Sequence, residues 1–183
     1  MAKDVKTMED LFLEEIRDLL DAEKQITKAL PKMAKAATSQ ELAEGFDEHL
    51  EQTRGHIERL EQIFSEMGAK SGGVKCAGME GVLKEGEEMI SLTEAGPVRD
   101  AGLIAAAQRV EHYEMAGYGA ARTFAQLLGR DEAADLLQET LDEEKETDEK
   151  LTEIAESMVN ERALSESRGS GGRTGRAGSG TGE

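Results

Sequence analysis

Acidic and histidine side chains interrupt the apolar stripes of four long helical patterns in this chain. Apolar residues that recur every three or four positions indicate a helix with one buried face. An ionised carboxylate on such a face is costly unless a partner neutralises it. A pair of divalent metal ions best fits carboxylate and imidazole groups that converge from four helices. The stripes are Phe12, Ile16, Leu19, Glu23, Ile26 and Leu30; Leu42, Phe46, His49, Thr53, His56 and Leu60; Ile104, Ala107, Glu111, Glu114 and Tyr118; and Leu137, Leu141, Glu144, Asp148 and Leu151.

Capping residues and a glycine set the limits of the first two helices. Thr7 and Thr38 are each followed three residues later by an acidic residue, the spacing of a capping box. We therefore predict a first helix that runs to about Ala37 and a second helix that ends at Gly68. Pro31 should kink the first helix, because it lacks an N–H group and crowds the preceding turn. The short turn between these helices makes them antiparallel.

A long, glycine-rich connection, residues 69–96, follows and carries a short helix of its own. Pro97 suits the first turn of a third long helix, which ends at Gly129. Asp131 can cap a fourth long helix that runs to about Arg162. Because the long connection lets the chain return to its starting end, the second and third long helices should be parallel.

The polar interruptions lie at one depth of this bundle. Glu23 lies 15 residues before the first turn at Thr38, and Glu111 lies 14 residues after Pro97 at the same end. Equal residue counts along helices give equal distances, so the groups should meet near mid-bundle. In a chain that is 33% charged, a single carboxylate in a stripe is more often on a solvated face. Four interruptions at one depth favour a buried metal site over a solvated or purely hydrogen-bonded cluster.

Length and composition predict one all-α domain and a tail. Residues 1–164 are expected to form a four-helix bundle with one long crossover that carries the short extra helix. Residues 165–183 are rich in Gly, Ser and Arg and should be disordered, because they have almost nothing apolar to bury. The alanines and glycines of residues 116–121 can bring another helix close, which predicts a homodimer.

Charge and targeting signals restrict the partners and the compartment. The net charge of −17 argues against nucleic acid and anionic membranes as partners, since both need a basic face. The chain has no apolar run long enough to cross a bilayer and no apolar segment after its amino terminus, so we expect a cytoplasmic protein. Cys76 is the single cysteine, which fits a reducing compartment and favours a structural or redox-silent role.

Five short segments carry a recognisable pattern: residues 22–25 (AEKQ), 49–51 (HLE), 76–81 (CAGMEG), 106–114 (AAQRVEHYE) and 143–148 (EEKETD). In these segments the chain resembles the YciE/YciF-type ferritin-like family. The resemblance covers about Thr7 to Arg162 and leaves out the tail. It implies a ferritin-like four-helix bundle, a role in the stress response and a di-metal centre with no established reaction.

The wider ferritin-like pattern places a Glu on two helices and a Glu-x-x-His motif on the other two, and this chain departs from it. Thr53 stands where a Glu would precede His56, and Thr147 stands where a His would follow Glu144. His49, one turn before Thr53, offers a substitute imidazole. His56 fits a hydrogen-bonded core residue as well as it fits a ligand. The predicted metal ligands are Glu23, His49, Glu111, Glu114, Glu144 and Asp148.

Three neighbouring side chains carry further expectations. His112 follows Glu111 and therefore points about 100° away from the stripe, which favours the surface or the outer layer of the site. Tyr118 fits a plain core residue, although its hydroxyl can orient a carboxylate. If Glu111 and Glu144 converge, each should raise the pKa of the other, because like charges disfavour ionisation.

Two functions of different class remain open. Oxygen donors with imidazole suit iron or manganese, and such a pair supports oxidative chemistry, either ferroxidase or peroxide-consuming, in stress protection. The alternative is a non-catalytic structural or interaction protein whose buried polar residues set the specificity of the bundle.

Overall fold

The computed structural model describes residues 5–170, and these form four long helices with a short helix on the crossover. The elements are α1 (Met8–Ala36), α2 (Gln40–Glu66), α3 (Ala77–Leu92), α4 (Pro97–Leu127) and α5 (Asp131–Ile154), followed by a π-helical turn (Ala155–Val159) and α6 (Asn160–Ser170). No strand occurs among the described residues, so the all-α prediction is confirmed. None of these helices is long and apolar enough to span a bilayer.

The helix starts follow capping chemistry, with two corrections. The predicted capping box at α1 is present, since the Thr7 hydroxyl accepts from Asp10 N and the Asp10 carboxylate accepts from Thr7 N. The N-cap of α2 is Ser39, not Thr38, and its Oγ accepts from the backbone of the first turn. The N-cap of α5 is Arg130, so Asp131 lies inside the first turn, where its charge favours the helix dipole.

The order of the helices places α2 and α4 on one diagonal of the bundle. Helix α1 packs against α2 and α4, and α5 packs against the same two helices. Asp100, in the first turn of α4, is buried and accepts from the backbone N–H groups of Thr38 at 2.7 Å and Ser39 at 2.8 Å. Helices α2 and α4 therefore begin at the same end of the bundle, and the predicted parallel arrangement is confirmed.

The core is divided into two apolar clusters. One cluster lies toward the start of α1 and includes Phe12, Ile16, Leu60, Ile63 and Leu137. The other lies toward the start of α4 and includes Ile26, Leu42, Phe46, Leu103 and Leu151. The positions between them on each helix carry the polar residues predicted to meet at mid-bundle, so the fold holds a buried polar layer between two apolar ones.

The CAGMEG segment attaches the crossover to the bundle. The Cys76 thiol accepts from Met79 N and caps α3, while Cys76 N donates to Asp21 at 2.9 Å. Gln25 donates to the carbonyl of Cys76, and Tyr113 lies with its hydroxyl 3.2 Å from the sulfur. Burial raises the pKa of the Cys76 thiol. A buried, protonated thiol with these contacts fits the structural role that the sequence favours.

The carboxy-terminal helix extends further than predicted. Helix α6 runs to Ser170, beyond residue 165, where the tail was predicted to begin. A methyl group at Gly96 would lie 3.5 Å from the Glu166 carboxylate, so Glu166 sits at the amino-terminal end of α4, where the helix dipole favours a negative charge. Residues 171–183 of the predicted tail lie outside the described residues.

Part of the small-residue segment 116–121 packs within the chain. A methyl group at Gly117 would lie 2.8 Å from Leu19, so this glycine lets α4 approach α1 closely. Ala121 is buried in the core, whereas Gly119 has open space around it. The segment therefore gives a second copy less surface than its sequence indicates, and the homodimer stays a prediction.

Candidate metal centre

Six ionisable side chains from four helices converge in the polar layer. They form two groups, and in each group one ligand atom per residue lies within 4.8 Å of the others. Glu144 belongs to both groups, so its carboxylate lies between them. One group is Glu23, His56 and Glu144, and the other is His49, Glu111, Glu114 and Glu144.

Helical spacing places the two histidines on one face of α2 and the two carboxylates on one face of α4. Residues three, four or seven apart share one side of a helix, which aligns His49 with His56 and Glu111 with Glu114. Thr53 lies between the histidines and donates its hydroxyl hydrogen to the His49 carbonyl at 2.8 Å. Thr53 occupies the Glu position of the wider pattern, but it has no charge, and its hydroxyl is engaged by this bond within α2.

His56 has different partners on its two ring nitrogens. Nε2 lies 2.9 Å from Oε2 of Glu143. Arg59 donates one hydrogen bond to each oxygen of the Glu143 carboxylate. Nδ1 lies 3.1 Å from Oε1 of Glu144 and 3.3 Å from Oε1 of Glu23. Because Glu143 accepts the Nε2 hydrogen, the ring is oriented with Nδ1 directed at the centre. Arg59 lowers the pKa of Glu143 and so keeps it ionised for this role.

His49 faces the second group. Its Nε2 lies 3.5 Å from Oε1 of Glu111 and 3.9 Å from Oε2 of Glu144. Its Nδ1 lies 3.4 Å from both Gln52 Oε1 and Thr147 Oγ1. The two imidazoles thus approach Glu144 from the same helix, one for each group.

Tyr118 orients the carboxylate of Glu23. Its hydroxyl donates to Oε1 of Glu23, and both residues are fully buried. Burial and the nearby Glu23 charge raise the pKa of Tyr118, so the phenol stays a donor. The alternative that the sequence left open, a hydroxyl that orients a carboxylate, is the arrangement found.

The six residues expose almost none of their surface, yet eight of their nitrogen and oxygen atoms have no hydrogen-bond partner. A buried polar atom without a partner is uncommon, because it has lost its bonds to water without replacement. The contacts between these residues are close but lack hydrogen-bond geometry. The atoms are Glu23 Oε2, His49 Nε2, His56 Nδ1, Glu111 Oε2, both carboxylate oxygens of Glu114 and both of Glu144.

The donor set fits a pair of divalent ions. Carboxylate oxygens and imidazole nitrogens suit iron and manganese, and no thiol is among them. With all four carboxylates ionised, Glu23, Glu111, Glu114 and Glu144 would carry four negative charges, which balance the charge of two divalent cations.

The acidic groups differ in their response to burial. Burial, followed by the nearby Glu144, raises the pKa of both Glu111 and Glu114 well above the ordinary value. Burial would also raise the pKa of Glu144, but His56 and His49 outweigh it and lower that pKa. The predicted rise in pKa is therefore found for Glu111. The prediction is wrong for Glu144, because the two imidazoles favour the ionised form of Glu144.

The structure brings five of the six predicted ligands together and adds His56. Asp148 does not join either group. Its carboxylate accepts from Gln108 at 3.1 Å and lies 3.4 Å from Nε2 of His112, which is on the surface as expected. The sequence signal for His56 was present, because it lies in the α2 stripe seven residues after His49. Thr53 obscured it by breaking the Glu-x-x-His pattern.

Comparison with known families gives one match over most of the chain. Residues 7–164 match a family described as a domain of unknown function, DUF892. This range includes all six residues of the polar layer and the whole of the crossover.

Known proteins from two bacteria are similar in sequence and in fold. Protein YciF of Escherichia coli is 51% identical over 160 residues, which are 87% of this chain and 96% of that protein. The crystal structure of this stress protein matches with a TM-score of 0.82 over 85% of this chain and 99% of its own. YcfI of Rhodopseudomonas palustris, for which a structural role is suggested, is 45% identical, with a TM-score of 0.80 over 83% of this chain and 97% of its own.

Proposed function

The chain belongs to the DUF892 family, and we propose that it holds two divalent metal ions, iron or manganese, in its buried polar layer. The observation that carries this proposal is the set of buried, unpartnered carboxylate and imidazole atoms that converge from four helices. Hydrogen bonds leave these atoms unsatisfied, whereas coordination to a cation would satisfy them. Glu144 would help to hold both ions, because it belongs to both groups.

Iron or manganese, when bound, would supply redox chemistry toward oxygen or peroxide. The chain's own residues orient the donors and bury them. Glu143 and Arg59 hold the ring of His56, while Tyr118 holds the carboxylate of Glu23. The apolar clusters on both sides lower the local dielectric, which strengthens electrostatic interactions within the layer.

We propose ferroxidase or peroxide-consuming chemistry in the stress response as the biological role. Two considerations support it. The chain is similar to the stress protein YciF, and oxygen-rich donor sets with imidazole are suited to metals that react with oxygen and peroxide. A cytoplasmic location, expected from the sequence, is part of the same proposal.

A second candidate is a non-catalytic bundle whose polar layer sets the packing of its helices. One observation favours it. Close contact with Glu144 and Glu23 outweighs burial and raises the pKa of His56 to about 10, so a protonated His56 can pair with these carboxylates without metal. A structural role is also suggested for the similar protein YcfI. Buried ion pairs of this kind can specify a unique arrangement at some cost in stability.

Titration of metal-free protein with ferrous or manganous ion, without oxygen, separates the two candidates. We expect calorimetry and elemental counting to give about two ions per chain, as a carboxylate-bridged pair requires. Glu144→Gln should reduce metal binding severely, because it alters the ligand shared by both groups. A stoichiometry near zero for the wild-type protein would leave the non-catalytic bundle as the better account.

The matched control is Glu149→Gln on the same helix. Glu149 is exposed, so this change removes one charge of the same type without altering the polar layer. We expect its metal stoichiometry to equal that of the wild type. Equal losses in both variants would show that the overall negative charge, and not the polar layer, attracts the metal.

A further inference from the structure

A narrow pocket between α2 and α5 reaches the polar layer from the surface. Its inner end is formed by His49 and Glu111, one imidazole and one carboxylate of the second group. Its outer end is formed by Glu48 and Lys150, whose side chains are 60% and 43% exposed and form an ion pair of 3.1 Å. Lys150 also lies 3.6 Å from the Glu146 carboxylate, so the outer end has no excess of positive charge that would attract an anion.

The space in this pocket that the centre of a water-sized molecule can occupy is about 20 Å³. A volume of that order holds one water-sized molecule. Organic substrates, including simple acids and sugars, need far more room than this. The size therefore restricts the ligand to a molecule of one or two heavy atoms.

The wall of the pocket combines apolar and polar groups. Phe46, Leu151 and Ile154 supply the apolar side. The hydroxyl of Thr147 lies 3.4 Å from both Nδ1 of His49 and Oε1 of Gln52. These are long distances for hydrogen bonds, and the Thr147 hydroxyl donates instead to the carbonyl of Glu143 at 3.1 Å. The Thr147 oxygen as an acceptor and the side-chain amide of Gln52 therefore retain capacity to bond a small guest.

We propose that this pocket is the route by which a neutral two-oxygen molecule, dioxygen or hydrogen peroxide, reaches the polar layer. We call it the portal, and it comprises His49, Gln52, Glu111, Thr147, Leu151 and Ile154, with Glu48 and Lys150 at its outer end. Its role in a reaction rests on the proposed metal function, but the passage of the molecule through it does not require a metal. Thr147 controls the width of the portal, because it lies on α5 directly against His49 and Gln52.

Nuclear magnetic resonance on metal-free protein tests the portal in two ways. Dissolved dioxygen is paramagnetic, so it should shorten the relaxation times of the Leu151 and Ile154 methyl groups more than those of Leu30 and Leu137, which are also buried but lie outside the portal. Hydrogen peroxide added in a brief titration should shift the side-chain amide signal of Gln52. A response to one reagent alone identifies the guest, and a response to neither overturns the proposal.

Two substitutions of Thr147 separate the effect of the width of the portal from the effect of hydrogen bonding by the Thr147 hydroxyl. Thr147→Leu fills the portal and should abolish the dioxygen effect at Leu151 and Ile154. Thr147→Val keeps the size of the side chain and should preserve that effect. If Thr147→Leu does not fold, the wild-type comparison of portal and control methyl groups still decides the question.

The outcome of the magnetic resonance experiments on the portal is independent of the metal titration. Absence of the dioxygen and peroxide responses, with about two ions bound per chain, would reject the portal and retain the metal centre. A clear response with no metal bound would retain the portal and reject the proposed function. A Thr147→Leu variant that responds like the wild type would also overturn the portal.

Discussion

The Nδ1 atom of His56 lies 3.1 Å from Oε1 of Glu144 at the centre of the bundle. Burial alone would lower the pKa of His56, but contact with Glu144 and Glu23 raises it to about 10. In the metal-free protein, Nδ1 therefore carries a proton at neutral pH. A metal ion at this atom has to displace that proton, so protonation and metal binding compete for the same position.

This relationship predicts how the stability of the metal-free protein depends on pH. The pKa of His56 is about 10 in the folded chain, against an ordinary value of 6.5. The stability that its protonated form contributes is therefore complete below pH 6.5 and is lost as the pH rises through 10. The raised pKa values of Glu111 and Glu114 act in the same direction. We expect urea unfolding to show a free energy of unfolding that falls between pH 6.5 and 10.

Two histidine variants check the origin of this slope, the fall in the free energy of unfolding with rising pH. His56→Gln should flatten it, because the group with the raised pKa is removed. His112→Gln should leave it unchanged, since the His112 side chain is 67% exposed. An unaltered slope in His56→Gln would contradict the assignment of the buried proton to this ring.

The two central glutamates should respond differently to neutralisation in the metal-free protein. Burial and the nearby Glu144 raise the pKa of Glu111, so its charge is unfavourable there, and Glu111→Gln, which removes that charge, should leave stability equal or higher. Glu144 has a lowered pKa and pairs with His56, so Glu144→Gln should reduce stability. Thermal melts without metal measure both. Equal effects of the two changes would contradict the opposite pKa shifts.

The sequence predicted the polar layer because helical periodicity is a local property. Each stripe placed its polar residue in the buried face, and the connection lengths placed the residues at one depth. Asp148 was grouped with these residues because a step of four from Glu144 is on the same face, whereas in the structure its side chain turns to Gln108 and His112. The charge of Glu144 depends on two histidines from another helix, and no pattern within α5 records that contact.

Asp100 should contribute strongly to stability without affecting the metal centre. Its buried carboxylate accepts the backbone N–H groups of Thr38 and Ser39, which would otherwise lack partners at the start of α2. We expect Asp100→Ala to lower the free energy of unfolding by about 2–4 kcal/mol, because two charge-assisted bonds are lost. Urea unfolding measures this change.

The control for Asp100 is Asp135→Ala, which removes an exposed aspartate from α5. It should change stability by less than about 0.5 kcal/mol. A loss in Asp100→Ala no larger than that of the control would show that the two bonds contribute little to the fold.

Two glycines of α3 should give opposite results when changed to alanine. A methyl group at Gly78 would lie 2.4 Å from the Tyr113 hydroxyl, whereas one at Gly81 would meet nothing within 4 Å. Gly78→Ala should cost about 1–3 kcal/mol, because Tyr113 has to leave its contact with Cys76. Gly81→Ala should stabilise by about 0.5–1 kcal/mol through helix propensity.

Thermal melts of the two glycine variants, with Tyr113→Ala added to each, complete this test. Removal of the Tyr113 ring should relieve the cost of Gly78→Ala and leave the effect of Gly81→Ala unchanged. A cost at Gly78 that persists without the ring would mean that the close approach to Tyr113 is not its cause.

The remaining features of the fold depend on contacts between distant segments. Asp100 lies 62 residues from Thr38, so neither sequence segment alone indicates their bond. Asp100 accepts the N–H groups of both Thr38 and Ser39, while the Ser39 hydroxyl caps α2 by accepting from Leu42 N. The role of the CAGMEG segment was likewise hidden, because its partners Asp21, Gln25 and Tyr113 lie on two other helices.

The most direct test of the metal centre is anomalous X-ray diffraction from crystals of manganese-loaded protein, measured at the manganese absorption edge. We predict two peaks in the anomalous difference map, on either side of the Glu144 carboxylate. One should lie between Glu23 and His56, and the other among His49, Glu111 and Glu114. A map with no peak in the polar layer, or with peaks only at surface carboxylates, would contradict the proposed metal centre.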